Sequence, residues 1–492
     1  MMWLILLVAV LILTLVYCRY KASTYDTFKK MNIDSPPTSL FLGNFGQAMK
    51  QGLFRMQLEL YHQYKDKKVY GVFDTNSPIL MVKDLDMIKD IMVKSFNNFV
   101  NRRVLLDVDS PVKDNLLTLK GDHWKHVRST VSPTFSSGRI KRMSQHIERN
   151  SCRLVNVLRG KQERNEDVEL KNMFYNFTLD VIASTGFGLD VNTIENPDNP
   201  FATHAKKCVT PSTLVLLLAF LAPRLLKLLL KTGVSVFSSE SLTYLIKVVD
   251  SAMESRKEEG QAGKVNDFMD LLINAEKEPE DAGKEQLTKS EIHGQVLIFI
   301  FAGYETVATA LSFTLFLLAT HPECCRNVQQ EIDEKLGNQS PSYDNVQDLT
   351  YMDMCINESM RMFPPGFLID RVCTEDTVIQ GIPIPKDMVI TFPIYAIHHD
   401  PDIWPEPENF QPERFSSENK ESRHPFAFLP FGNGPRNCIG MRLALLELKV
   451  TIAHILKAFT PIPCEKTVYP VKLNKYQLKA DDDLWVKFEA RQ

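Results

Sequence analysis

The chain has 492 residues, 44% of them hydrophobic and 24% charged, with a formal net charge of −3. This is ordinary globular composition, long enough for several domains, and its slight negative balance excludes a chain built to bind nucleic acid. Nine cysteines without paired ligand spacing, and with no Cys-x-x-Cys, exclude a disulfide framework and suggest a reducing compartment.

Met1 to Cys18 is an uncharged apolar run, about the minimum for a membrane-spanning helix. Arg19, Lys21, Lys29 and Lys30 follow it and place the bulk of the chain in the cytosol. A cleaved signal peptide is the competing reading, but the basic leader and small-residue cleavage site are missing. Residues 19–46 read as a basic linker with a hinge at Ser35, Pro36, Pro37, Gly43 and Gly46. Residues 47–492 carry no repeat, low-complexity tract or clear boundary and read as one domain.

Val69–Phe73 and Ile79–Val82 flank Asp74, Asn76 and Pro78, which predicts a hairpin. Trp124 and Arg128 are spaced i, i+4 and share a helix face. Side by side, an indole N–H and a guanidinium grip a carboxylate; a surface Trp–Arg stack is the plainer alternative. Thr213 to Leu230 is very apolar but too short to span a bilayer. It reads as a core helix, or as a loop-and-helix pair that dips into a membrane surface. Glu254–Asp267 and Asn274–Ser290 read as solvated connectors.

Glu291 to Thr320 is the longest helical pattern, apolar nearly all round, hence buried, and His321-Pro322 ends it. Its middle reads Phe301, Ala302, Gly303, Tyr304, Glu305, Thr306. Acidic and hydroxyl groups inside an apolar helix need a reason. Either they form an oxygen-handling groove, with Thr306 holding water and Glu305 relaying protons, or Gly303 is a packing site and Thr306 bonds its own backbone. Glu358 and Arg361 form an i, i+3 pair on the predicted helix Met352–Met362. Val450 to Gln492 holds a helix end and strand-like pieces such as Leu484–Phe488.

Phe428 to Gly440 is punctuated by glycine and proline and carries Cys438, with an apolar helix-prone run behind it. Helix N-terminal amides there stabilise a thiolate, and Arg436 stands two residues away. A soft anion in such a mount suits an axial ligand to haem iron; a buried free cysteine is the bland alternative.

Trp-x-x-x-Arg, the Ala-Gly-x-Glu-Thr helix centre, Glu-x-x-Arg and the Phe-x-x-Gly-x-Arg-x-Cys-x-Gly loop stand in this order along the chain. In these motifs the chain resembles the cytochrome P450 family, and within it the microsomal family-three, subfamily A enzymes that oxidise drugs and steroids. The resemblance implies a mainly α fold with small β-sheets (α+β), and a haem b buried between the long central helix and the Cys438 loop. It implies that Cys438 is the iron ligand, with Thr306 and Glu305 catalytic. Arg103, Trp124, Arg128, Arg371, Arg436 and Phe431 would hold the haem. Leu106, Leu117, Ile298, Phe301, Ala302, Gly366 and Phe367 would line the substrate pocket. Glu358, Arg361 and Arg414 would form a structural triad. The implied activity is an NADPH- and O2-dependent monooxygenase acting on steroid-like, fatty-acid or xenobiotic substrates at the endoplasmic reticulum membrane. The implied partners are NADPH–cytochrome P450 reductase and cytochrome b5, and Lys125, Arg128, Arg442 and Lys449 are candidates for the docking face. A haem-thiolate isomerase and a haem-binding scaffold without turnover are the competing functions.

Overall fold

The computed structural model describes residues 24–39, 42–75, 77–104, 110–209, 236–258, 267–276, 286–476 and 478–491, with three isolated positions between 210 and 235. The expected anchor, Leu106 and nearly all of Thr213–Leu230 lie outside the described residues. The principal helices are α1 (Leu53–Gln63), α2 (Gly121–Val131), α3 (Ser137–Glu163), α4 (Leu170–Phe187), α5 (Pro200–Val209), α6 (Ser239–Glu258), α7 (Phe268–Ala275), α8 (Lys289–Thr320), α9 (Pro322–Leu336), α10 (Thr350–Met362) and α11 (Met441–Ala458).

The axis of the molecule is α8, 32 residues long. Thr288 and Glu291 close its N-terminus reciprocally, each side chain accepting from the other's backbone N–H. Among the described residues it is the one helix long and apolar enough to cross a membrane, but it is a core helix. Ile292, Val296, Ile300 and Tyr304 join one apolar core with α2, α5, α6 and α7. Val307, Leu311, Leu315 and Leu318 join another with α3, α9, α10 and α11. Because a different set of neighbours covers each half, the helix is apolar on every face. The two cores part at Gly303–Thr306.

The strands are few. β1 (Val69–Asp74) and β2 (Ser77–Val82) form the expected hairpin, with Val69 opposite Val82. β3 (Val168–Glu169) pairs in a second sheet. β4 (Ile369–Val372), the small hairpin β5 (Thr377–Ile379) and β6 (Ile382–Ile384), and β7 (Val389–Phe392) follow. The first sheet has the order β1-β2-β7-β4, in which only β2 and β7 are parallel. β8 (Phe459–Ile462) and β9 (Trp485–Ala490) complete the second, ordered β3-β9-β8.

The hinge expected at residues 35–46 is instead docked on the first sheet. Phe28 is fully buried, and a Cβ on Gly71 would lie 2.1 Å from its ring. The Gly71 amide donates to Asp34 O at 2.8 Å, and Asn44 bonds both the Pro37 carbonyl and the Phe73 amide. The connector expected from Glu254 is shorter, since α6 continues to Glu258.

Candidate functional site

At the point where the two cores part, Gly303 lets α4 and α8 touch: a Cβ there would lie 2.0 Å from Ile182 Cδ1. Thr306 Oγ1 donates to Ala302 O at 2.6 Å, and Thr178 Oγ1 of α4 donates to Tyr304 O at 2.8 Å. Ala302 and Thr306 are exposed in the middle of a core helix because they face a cavity of about 390 Å3.

Cys438 lies on the same cavity, with its side chain open to it. The loop that carries it is fixed from several sides. Its amide donates to Phe431 O at 2.9 Å, and the Leu429 amide donates to His398 Nε2 at 3.0 Å. Gly434 has φ +75°, and a Cβ there would lie 2.1 Å from Met92 O, so no side chain fits. Burial pushes the Cys438 thiol up, while the amides of Gly440 and Met441 and the guanidinium groups of Arg128 and Arg102 draw it down. The amides belong to the start of α11, which is the arrangement the sequence predicts.

One end of the cavity is cationic. Arg102, Trp124, Arg128 and Arg436 line it. Arg371 lies fully buried beside them, on the same face of β4 as the lining residue Ile369. Arg128 donates to Asn437 Oδ1 at 3.1 Å. Arg436 donates to the carbonyls of Val100, Leu117 and Leu119, and its guanidinium lies 4.7 Å from the Trp124 ring centroid. Burial and neighbouring arginines pull Arg371 and Arg436 down to about 9. Arg102 Nε, Trp124 Nε1, Arg371 Nε and Nη2, and Arg436 Nε have no hydrogen-bond partner among the described residues. Buried cations that crowd one another and keep N–H groups unpaired are stable only opposite anions.

Several expected positions come together and others do not. Phe431, Leu117, Ile298, Ala302 and Gly366 line the cavity with Cys438 and Thr306. Arg103 does not: it forms an ion pair with Asp74 at 2.5 Å, and Arg102 takes the place expected for it. Asn101 bridges to Val372, and on such extended backbone successive side chains point to opposite sides. Glu305 also points away, accepting from Tyr175 Oη at 3.3 Å. Phe301 stacks near Phe237 and Phe367 packs on Phe54, both outside the cavity lining. The triad is assembled: Glu358 and Arg361 are fully buried and paired twice, at 2.8 and 2.9 Å, and Arg414 Nε approaches Glu358 at 3.3 Å. Of the docking cations, Arg128 faces the cavity and Lys449, itself largely buried, pairs with a partly exposed Asp353, which leaves Lys125 and Arg442 at the surface. Arg102, Asn437 and Ile182 were not anticipated from sequence; strand alternation past Asn101 is the one signal that favours Arg102 over Arg103.

The residues present fit the haem that the resemblance implies. A thiol faces the cavity, apolar groups such as Leu443, Ala444 and Ile369 line its walls, and the orphaned donors at one end match two propionates.

Comparison with known proteins agrees with this site. The family model described as "Cytochrome P450" matches residues 34–481. Cytochrome P450 3A7 of Homo sapiens is 39% identical over 475 residues, covering 96% of this chain and 93% of that protein. Cytochrome P450 3A11 of Mus musculus is 40% identical, with coverage of 97% and 94%. Cytochrome P450 3A5 of Homo sapiens is 38% identical, with coverage of 99% and 96%.

Proposed function

The chain belongs to the cytochrome P450 family, and from that premise we propose which of its residues carry the family's chemistry, and where it works. It is a haem b monooxygenase, fed by a redox partner and acting on lipophilic substrates. When bound, the haem activates dioxygen and inserts one oxygen atom into the substrate, the other leaving as water. Cys438 would bind the iron through its thiolate and supply it with electron density. Arg102, Arg371, Arg436, Trp124 and Arg128 hold the propionates, and Phe431 borders the ring. Arg103 belongs to the support around them, through Asp74. Thr306 keeps its hydroxyl in the groove beside Gly303, where it would orient water and move a proton. Glu305 reaches this groove only by leaving Tyr175, so its contribution is a second position of that side chain.

The substrate chamber is apolar: Leu117, Ile298, Ala302 and Gly366 line it, and Leu106 is its further candidate. Such walls desolvate and orient a steroid-like, fatty-acid or drug-like molecule and give a charged one no partner. The finer partners are NADPH–cytochrome P450 reductase and cytochrome b5. Lys125 and Arg442 are candidates for the docking face. Residues 1–18 anchor the chain in the endoplasmic reticulum membrane, and the catalytic body, residues 47–492, faces the cytosol.

The observation that carries this reading is Cys438 and the orphaned arginine donors on one cavity. Its test is spectral. The reduced, CO-bound full chain should show the strongly red-shifted Soret band of thiolate ligation, and Cys438→Ser should lose that band together with reductase-supported, NADPH-dependent oxygenation of a steroid. A wild-type spectrum without thiolate character would refute the ligand assignment. Product formed without NADPH would favour an isomerase.

A further inference from the structure

Behind the cavity wall, on the first half of α8, lies a side chain that belongs to none of the motifs. Gln295 is fully buried. Its Oε1 accepts from the Leu116 amide at 3.0 Å, and its Nε2 donates to Asp114 O at 2.8 Å and to Glu291 O of its own helix at 3.0 Å. All three partners are backbone groups, so the amide has one orientation and forms a bracket between α8 and residues 111–119. Two neighbours on α8 close the same contact. Ser290 Oγ donates to Asp114 Oδ2 at 2.5 Å. A Cβ on Gly294 would lie 2.7 Å from Asp114 O and 2.9 Å from Pro111 O, so the helix meets this segment backbone to backbone.

The bracketed segment carries Leu117 to the cavity. Leu116 and Leu117 both line it, and Leu117 is 47% exposed. The Leu117 amide donates to Asn115 Oδ1 at 2.7 Å, and its carbonyl accepts from Arg436 Nη2 at 3.0 Å. Arg436 thus pins the segment from the Cys438 loop, and Gln295 pins it from α8. Without Gln295 a buried N–H and a buried carbonyl lose their partners, and the segment gains by turning them to water. We propose that Gln295 is a positioning residue for substrate specificity: by holding the Leu116 amide against α8 it sets how far Leu117 reaches into the chamber, and with that which carbon of a bulky substrate is presented for oxidation. The proposal rests on the monooxygenase reading above. Gln295 touches neither the substrate nor the reacting atoms. It acts through Leu117, because one methylene more or less in an apolar pocket discriminates by about tenfold or more.

The test uses the haem-loaded full chain and a steroid that is oxidised at more than one carbon. Gln295→Met keeps length and bulk and removes the three bonds. It should keep the red-shifted CO band and bind imidazole at the iron within about threefold of the parent, yet shift the ratio of steroid alcohols about fivefold. In a Leu117→Ala background the same substitution should shift that ratio less than about twofold, because the residue through which it acts is gone. Hydrogen exchange gives an answer independent of turnover. In the parent the Leu116 amide should exchange at least about a hundredfold more slowly than free loop amides, and Gln295→Met should abolish most of that protection. Fast exchange at Leu116 in the parent overturns the proposal, and this measurement stands even where the variant fails to fold. So does an unchanged product ratio in Gln295→Met, or a shift of equal size with and without the Leu117 side chain. A parent chain without the thiolate spectrum would instead refute the function on which the proposal rests, while exchange at Leu116 would still show whether Gln295 holds the segment.

Discussion

Arg102 and Arg103 are neighbours of the same chemistry, and the backbone sends them to opposite sides of one extended segment. Arg102 Nη2 donates to Arg436 O at 3.2 Å and its Nε is left for a ligand, whereas Arg103 is neutralised by Asp74. Arg102→Ala should therefore weaken haem retention by roughly ten- to a hundredfold, the worth of a charge-assisted hydrogen bond. Arg103→Ala should leave haem binding within about threefold, since a part-buried pair with Asp74 bears on stability first. Haem release to apomyoglobin, followed optically, measures both, and equal release rates would contradict the assignment. At this scale the sequence was most legible where a motif fixes spacing: Cys438, Trp124, Arg128 and Thr306 come to one cavity, and Glu358 and Arg361 pair. It was least legible where a single rotation about the chain decides, as for Arg102 against Arg103, Glu305 against the cavity, and Phe301 against Phe237. Residue type says what a side chain is able to bind; its direction is set by neighbours far away in sequence.

The elements show the same division. A buried helix over Glu291–Thr320 and a hairpin at Val69–Val82 followed from periodicity and turn chemistry, because those signals are local. Residues 35–46 were misread as a hinge because prolines and glycines speak of backbone freedom. What docks that segment is Asn44, which bonds the Pro37 carbonyl and the Phe73 amide, while Phe28 ahead of it fills the space that Gly71 leaves open. Close approach recurs at the α4–α8 crossing, where it shapes the groove. Gly303→Ala places a methyl 2.0 Å from Ile182 Cδ1, the far end of a flexible side chain. The clash should cost about 1–3 kcal/mol in overpacking and narrow the groove beside Thr306. Adding Ile182→Ala removes the obstructing atoms and should recover most of that loss, which urea unfolding of the two variants will show. If the second substitution brought no recovery, the tight crossing would not be what Gly303 serves.

In the whole molecule, three buried histidines bear on acid stability, and one of them, His398, ties the Cys438 loop to α10. His398 and His399 follow β7, and His454 lies on α11. His398 Nδ1 donates to Arg361 O at 3.2 Å while Nε2 accepts from the Leu429 amide, so only the neutral ring satisfies both. Burial, with Arg361 nearby, holds His398 well below the usual histidine range and His399 at about 3. Burial, with Lys457 nearby, brings His454 down to about 4. All three folded-state values lie below the unfolded value of about 6.5. As pH falls past that value the unfolded chain takes up these protons first. The stability present above about pH 6.5 is therefore lost as pH falls towards the folded values, by up to about 1.4 kcal/mol per pH unit for each histidine. His454 accounts for one share, and it can be removed without a charge. In His454→Gln the amide nitrogen replaces Nε2 as donor to Pro341 O, a bond of 3.1 Å in the parent. Between about pH 6 and pH 4.5 unfolding free energy should then fall less steeply than in the parent, by about one proton's worth of slope. Denaturant titrations at these pH values measure the difference directly. Parallel lines for variant and parent would mean that His454 takes its proton in the folded state as readily as in the unfolded chain, and that the acid lability of the haem loop's surroundings lies with other groups.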